Sequence, residues 1–394
     1  LIAELYMKHA ILIVLALELV TTNIVSAQVP TGAITGLVTD STSARISGAS
    51  VTITNRETGL KRTVITSDIG NYSAAVLLPG LYEVAAEAPG FTRLAREATV
   101  ESGNTTDVNL VMQVVASPES VTVKGASPLI HYESHEVDGM ITRPQIEGLP
   151  LNGRNFLELA KLEPGAQQPT KISNNRTVVP LLGAPVGVNG RATRVTVDGG
   201  SIMEVGNGGS AMGFSQEAVE EFQVSTVNFD LSTGATASGA VNVATRSGSN
   251  QLHGSGFLFF RDHHLSAYPA LHRNPFNPDP FFQRKQFGLS LGGPIRKDRA
   301  FFFGTFERLE QRGVVSTEIL TPEFARLSGI FPSPTYVDQF SGRTDFQLSE
   351  RQLMFVRYSH EGSFSFAPTG DVYRMCTLPR GRGRLNGPTR AFWD

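Results

Sequence analysis

"FGLSLGGPIRKDRAFFFGTFE" spans Phe287–Glu307, and the reading of the whole chain turns on it. A polar turn broken by glycine and proline separates two runs rich in phenylalanine. Before the turn, Phe287, Leu289 and Leu291 alternate with Gln286, Gly288, Ser290 and Gly292, the two-residue period of a strand with one apolar face. After it stand Phe301, Phe302, Phe303 and Phe306. Aromatic residues make up only 8% of the chain, yet 19 of its 24 Phe lie beyond residue 250. Two environments accommodate such a hairpin: a soluble sandwich with an aromatic core, or a barrel whose outer face meets lipid.

Composition narrows the function classes. The 394 residues suffice for two or three domains. A formal net charge of −2 gives no electrostatic case for nucleic acid. Cys376 is the one cysteine, so neither an internal disulfide nor a cysteine-based metal site is available. Short alternating runs of Thr, Ser, Val and Gly argue for a mainly β protein. No stretch carries 18 consecutive apolar residues, which excludes a helical membrane span but not a barrel.

The first residues carry an address. Met7-Lys8-His9 precedes the apolar run Ala10–Leu17, and Val25-Ser26-Ala27 supplies small residues at a cleavage position. Residues 7–27 therefore read as a secretory signal peptide, with a buried N-terminal helix as the alternative.

Residues 28–116 read as a small β-sandwich. Val51 and Ile53 alternate with Ser50, Thr52 and Thr54, and Val108, Leu110, Met112 and Val114 share one face. Turn signals recur at Asn55–Gly59, at Asp68–Asn71 and at Pro79-Gly80, the last suited to a type II turn with Gly80 left-handed. The stretch "TSDIGNYSAAVLLPGLYEVAAEAPGF" (Thr66–Phe91) resembles the carboxypeptidase regulatory-like domain through Asp68, Gly70, Tyr72, Pro79, Gly80, Tyr82, Gly90 and Phe91. The resemblance implies a transthyretin-like sandwich in which Tyr72 and Tyr82 pack structurally. No zinc-ligand set accompanies it.

Residues 117–127 form a polar joint containing "SVTVKG" (Ser120–Gly125). Val121 and Val123 point one way and Thr122 the other. Such a segment serves either as the sandwich's last strand or as a strand that a partner's sheet edge accepts.

Residues 128–249 read as a second globular unit. Phe156, Leu157, Leu159, Ala160 and Leu162 form an apolar stripe, with Asn155 as cap. "VNGRATRVTVDGG" (Val188–Gly200) reads as a strand into a tight turn, and Ser215–Asn250 as helix, strand, glycine-rich loop and strand. This unit resembles the plug domain of TonB-dependent outer-membrane receptors: Val197-Asp198-Gly199 matches their turn, the acidic segment Glu220–Val224 follows, and then Gly239–Arg246. "LPLNGRNF" (Leu149–Phe156) is similar to the Oar-like branch, in which a regulatory-like sandwich precedes the plug. "STVNFD" (Ser225–Asp230) stands where such receptors carry an Arg-Gly pair.

The resemblance decides the hairpin. It implies that residues 250–366 are the first strands of a barrel. Phe287, Leu289 and Leu291 then face lipid, Gly292–Asp298 turns on the periplasmic side, and Phe301, Phe302, Phe303 and Phe306 re-enter at an aromatic girdle. A second hairpin turns at Ser349–Gln352, and Asp262–Pro280 and Gln311–Gly342 read as long external loops. Receptors of this kind have about 22 strands, whereas residues 250–394 supply only about five at roughly 9–11 residues each, so the chain reads as an N-terminal fragment or truncated product. The tail, residues 367–394, has no alternation and reads as irregular, as an out-of-frame segment would.

The resemblance further implies an outer-membrane location with the sandwich in the periplasm, Val121-Thr122-Val123 as a TonB box joined by strand addition to a TonB-type energy-transducing protein, and energised uptake of an unidentified ligand. Two other readings stay open: a periplasmic or surface binding module using the sandwich, with carbohydrate as candidate ligand, and a non-transporting structural or adhesion protein of the outer membrane. No enzyme is expected: no nucleophile elbow is present, and Gly206-Asn207-Gly208-Gly209 lacks the Lys-Ser/Thr of a phosphate loop. No cofactor is expected. His253, His263, His264 and His272 lie in or near a loop of Pro and Asn without helical spacing, which reads as solvated chain and not as a metal site.

Overall fold

The computed structural model describes residues 31–114, 121–123, 137–151, 153–164, 166–167, 181–182, 193–203, 212–227, 239–267, 275–319, 322–349 and 352–365. The signal peptide, the loop at Gly206–Gly209, His272 and the tail with Cys376 lie outside the described residues.

The first unit is built from β1 (Gly32–Asp40), β2 (Ser50–Asn55), β3 (Lys61–Ile65), β4 (Asn71–Leu77), β5 (Gly80–Glu87), β6 (Leu94–Val100), β7 (Thr105–Asp107), β8 (Leu110–Met112) and β9 (Val121–Val123). One sheet centres on β1, flanked by β4 and by the parallel strands β7 and β8. The other runs β3-β2-β5-β6-β9. Every second residue turns inward, so Ile34, Val38, Val51, Ile53, Val84, Leu110 and Met112 make the core between the sheets. Each such side chain contributes about 1.5–3 kcal/mol by leaving water. Tyr72 and Tyr82 are buried with their hydroxyls satisfied: Tyr72 donates to the Val108 carbonyl at 2.6 Å and Tyr82 to that of Leu78 at 2.8 Å. Burial pushes the Tyr82 phenol up to about 12. Gly70 takes the positive φ its turn requires, at 77°.

Two local expectations fail here. Gly80 has φ 145°, outside the αL region, because it already pairs with Val100 as the first residue of β5. Val114 lies beyond the end of β8 and is 64% exposed, in an isolated bridge with Phe91.

The second unit contains β10 (Val137–Ile141), α1 (Arg143–Gly148), β11 (Ala166–Gln167), β12 (Leu181–Leu182), β13 (Thr193–Val197), β14 (Gly200–Ser201), β15 (Val219–Val227) and β16 (Gly239–Thr245). Its five-stranded sheet has the order β10-β15-β16-β13-β14, with β13 parallel to β16. The core packs Ile141, Ile146, Phe156, Leu157, Val195, Phe222 and Val243, with Phe156 edge-on to Phe222 at 5.6 Å between centroids. The helical piece after Asn155 is a 3₁₀ helix, Phe156–Leu162. The buried pairs Phe156-Leu157 and Leu159-Ala160 repeat every three residues, the pitch of a 3₁₀ turn. Ser215 caps only a single 3₁₀ turn, Gln216–Ala218, before β15 begins.

The third unit is a sheet of β17 (His253–Asp262), β18 (Phe282–Arg296), β19 (Ala300–Thr317), β20 (Gly329–Pro332), β21 (Thr335–Ser349) and β22 (Gln352–Ser365). Its order is β17-β18-β19-β21-β22, each antiparallel to the next, and β20 pairs with the far end of β19. Among the described residues the sheet does not close. Phe287, Leu289 and Leu291 are exposed while Gln286 and Ser290 are buried, as the alternation requires.

Three details of the hairpin are corrected. The turn is Lys297–Arg299: Gly292, Gly293 and Pro294 stay in β18, opposite Phe303, Phe302 and Phe301. The phenylalanines do not form one outward girdle. Three in a row must alternate, and Phe301 and Phe303 turn inward with Thr305 and Glu307. Finally, Gln311–Gly342 is not one loop, because β19 runs on to Thr317, β20 adds a short edge, and β21 resumes at Thr335.

Candidate functional site

The site lies where the second unit seats against the inner face of the third. β13 ends at Val197, and Asp198 (φ 45°) with Gly199 (φ 81°) makes a two-residue turn into β14. Both central residues need positive φ, which Asp tolerates and Gly takes freely. The turn presents Asp198, only 2% exposed, to the sheet. Its Oδ1 accepts from the Thr245 backbone N–H at 2.9 Å and its Oδ2 from the Thr245 hydroxyl at 2.6 Å.

Two arginines reach Asp198 from the wall. Arg343 of β21 places Nη1 3.2 Å from Oδ1, and Arg357 of β22 places Nη1 3.3 Å from Oδ2. Arg343 also donates to the Thr245 carbonyl at 3.0 Å and to Asp345 Oδ1 through Nη2 at 2.8 Å. Asp345 Oδ2 accepts from Ser247 at 2.8 Å, and Arg357 donates to the Val197 carbonyl at 3.1 Å. Two carboxylates face two guanidinium groups, so the buried cluster is neutral.

A second cluster joins the same units. Arg154 donates to Glu217 Oε1 at 2.7 Å, and Arg143 to Oε2 at 3.2 Å. Glu307 of β19 accepts from the Ser215 hydroxyl at 2.6 Å, with Arg154 Nε at 3.7 Å. The Arg154 guanidinium lies 3.8 Å over the Phe257 ring, a cation–π contact with the first wall strand. Burial raises the Glu217 carboxyl, but the Arg154 hydrogen bond and the Arg143 and Arg154 charges outweigh it, leaving the group below its usual range. Each carboxylate already faces arginine, so these clusters offer no cation site.

The sandwich docks below. Asn250 donates its backbone N–H to Glu57 O at 3.0 Å and its side-chain amide to Thr58 O at 2.7 Å. Asn250 also bonds Asp298 in the β18–β19 turn at 2.8 Å. On the other side, the Ser102 N–H donates to Glu221 of β15 at 2.6 Å. Burial lifts the Glu221 carboxyl to about 7, against the lowering effect of those Ser102 bonds.

The sequence-predicted residues fall in three places. Val197, Asp198 and Gly199 form the turn at the heart of the first cluster. Asp68, Gly70, Tyr72, Pro79, Gly80 and Tyr82 stay within the sandwich, away from it, and Asp68 is exposed. Val121–Val123 forms β9, parallel to β6 with Leu94 opposite Val121, Ala95 opposite Thr122 and Arg96 opposite Val123. The segment is thus the edge strand of the sandwich's larger sheet. Sequence reading missed Arg143, Arg154, Glu217, Glu307, Arg343, Asp345 and Arg357. Glu307, Arg343 and Asp345 carried a signal: they occupy inward positions of strands whose other face is apolar.

Residues 33–113 match the carboxypeptidase regulatory-like domain, and residues 244–336 match an outer membrane β-barrel domain. The chain is 31% identical over 288 residues to the TonB-dependent transporter Oar of Myxococcus xanthus. These matches make the chain similar to the Oar-like TonB-dependent outer-membrane receptors. That alignment covers 69% of this chain and 26% of the Myxococcus protein, so the chain spans about a quarter of the curated relative's length. The barrel-domain match places this chain in the outer membrane. Among solved structures, it is similar to the outer membrane transporter YddB from Escherichia coli (12% identity, TM-score 0.47, covering 58% of this chain and 33% of that one). It is also similar to the siderophore receptor PirA from Acinetobacter baumannii (16% identity, TM-score 0.40, covering 59% and 32%).

Proposed function

We propose that this chain is the periplasmic, plug-bearing and first-strand part of a receptor that imports a scarce ligand using energy delivered by a TonB-type protein. In this reading residues 28–116 are a periplasmic sandwich, 117–127 the joint with the TonB box, 128–249 the plug and 250–366 the first barrel strands. The observation that carries it is the buried cluster of Asp198, Arg343, Asp345 and Arg357. Breaking one partner of a buried ion pair costs about 3–5 kcal/mol, so a plug held this way stays shut until work is done on it.

The joint supplies the handle. β9 is short and extended, and a partner's sheet edge accepts such a segment through its backbone. Tension drawn along residues 124–136 arrives first at β10, an edge strand of the plug sheet. Hydrogen bonds of an edge strand open one after another, which needs less force than shearing the sheet at once. In the resting state β6 holds β9, so a TonB-type partner takes the strand by exchange.

The test is calorimetric titration of a peptide covering residues 117–127 with the C-terminal domain of a TonB-type protein. Saturable binding is expected, lost when Val121 or Val123 becomes proline, which removes a backbone donor. Equal binding by the proline peptides would refute strand addition at this segment.

A further inference from the structure

At the C-terminal end of β17, Asp262 caps a single 3₁₀ turn, His263–Leu265. Its Oδ1 accepts the His264 backbone N–H at 3.0 Å. His264 Nδ1 lies 2.8 Å from that oxygen and His263 Nδ1 3.3 Å from it. The two imidazole centroids are 3.9 Å apart. One ligand atom from each of the three residues lies within 4.8 Å of the other two.

The group is held in place. His263 packs edge-on against Phe281 at 5.1 Å, and its side chain is 13% exposed. Its Nδ1 is buried without a hydrogen-bond partner. Gln283, opposite Asp262 in the β17–β18 register, donates to Asp262 Oδ2 at 3.1 Å. One carboxylate oxygen is thereby fixed by an amide, and the other is turned toward the two rings.

Neutral imidazole nitrogens and a carboxylate this close repel through their lone pairs unless a proton or a cation lies among them. Donor atoms around a tetrahedral ion bound at about 2.0–2.1 Å are separated by roughly 3.3 Å, a spacing the two measured separations approach. We propose that Asp262, His263 and His264 bind one borderline divalent ion of the zinc, copper or nickel class, with an open position left for water or an incoming ligand. Two imidazoles and one carboxylate favour such ions over magnesium or calcium, which demand oxygen ligands throughout. Gln283 acts as a positioning residue for the carboxylate. The site is independent of the plug–wall clusters and of the TonB reading.

The test uses the full chain in detergent micelles, purified without a histidine tag and stripped of metal. Zn²⁺ titration is expected to give one site per chain, and Cu²⁺ to give an electron paramagnetic resonance spectrum split by two nitrogens. His264→Ala should lower Zn²⁺ affinity at least about tenfold; its side chain is 76% exposed, so the variant folds. Gln283→Leu should lower it by about 10–100-fold, as loss of an outer-shell partner does. His360→Ala, at an exposed position of β22, should leave affinity unchanged. Affinity unaltered in both His264→Ala and His263→Ala, or a copper spectrum with fewer than two nitrogens, would overturn the proposal and leave only the hydrogen bond between His264 and Asp262.

Discussion

Arg343 Nη1 on the wall strand β21 stands 3.2 Å from Asp198 Oδ1 in the plug turn, with side chains only 4% and 1% exposed. Residues 145 positions apart thus share one dry contact. Replacing Asp198 by Asn or Arg343 by Met is expected to cost about 3–5 kcal/mol each, because each leaves a buried charge unmatched. The double variant should cost less than the sum, by about 0.5–3 kcal/mol, in urea unfolding of the micelle-bound chain. Strict additivity would mean that the contact does not couple plug to wall.

Glu221 makes the sandwich joint sensitive to pH. Its carboxyl rises from 4.5 to about 7 through burial, opposed by Ser102 and helped by Glu220 and Glu101. A raised value means that the folded chain holds the proton more tightly than the unfolded one. The stabilisation is complete below the ordinary glutamate value and is lost as pH rises through about 7. Unfolding free energy should therefore fall by about 3 kcal/mol across that window. Glu221→Gln keeps an acceptor for the Ser102 N–H and should flatten the slope; an unchanged slope would assign it to other groups.

The pairing of β9 with β6 is open to a covalent lock. Ala95 and Thr122 are register partners, and neighbouring strands lie about 4.8 Å apart, within reach of a disulfide. Ala95→Cys with Thr122→Cys, in a Cys376→Ser background, should cross-link on oxidation. The oxidised chain should lose binding to the TonB-type domain, and a reductant should restore it. If the free 117–127 peptide binds while oxidised and reduced chains bind equally, release from β6 is no part of the exchange. A peptide that does not bind removes the TonB box itself.

Leu289, 53% exposed, tests which face meets lipid. Leu289→Lys is expected to destabilise the chain in vesicles by about 2–4 kcal/mol if the position lies near the bilayer centre. Leu289→Met should be nearly neutral. A lysine tolerated as well as methionine would put this face in water.

The strands were legible because their signal is local. Alternation at Phe287–Gly292 needs only neighbouring residues, and so do the turn glycines Gly70 and Gly199. The phenylalanine triplet misled for the same reason: composition suggests a girdle, whereas pleating sends Phe301 and Phe303 inward. The Asp198–Arg343 contact joins segments that chain order keeps apart. Only the inward parity of Arg343 and Asp345 hinted that charges there had partners. In the sequence the histidines at the end of β17 read as solvated chain because metal spacing is usually sought on helices, whereas a capped turn brings adjacent side chains to one oxygen.

The middle of the plug sheet is filled by β16, the last of its strands in chain order. Until Gly239–Thr245 is made, the β13–β14 hairpin and the β10–β15 pair are two flaps with no common edge. The five-stranded sheet is therefore continuous only once its last strand is in place. β16 ends at Thr245 and β17 begins at His253, so the strand that completes this sheet leads almost directly into the sheet it packs against.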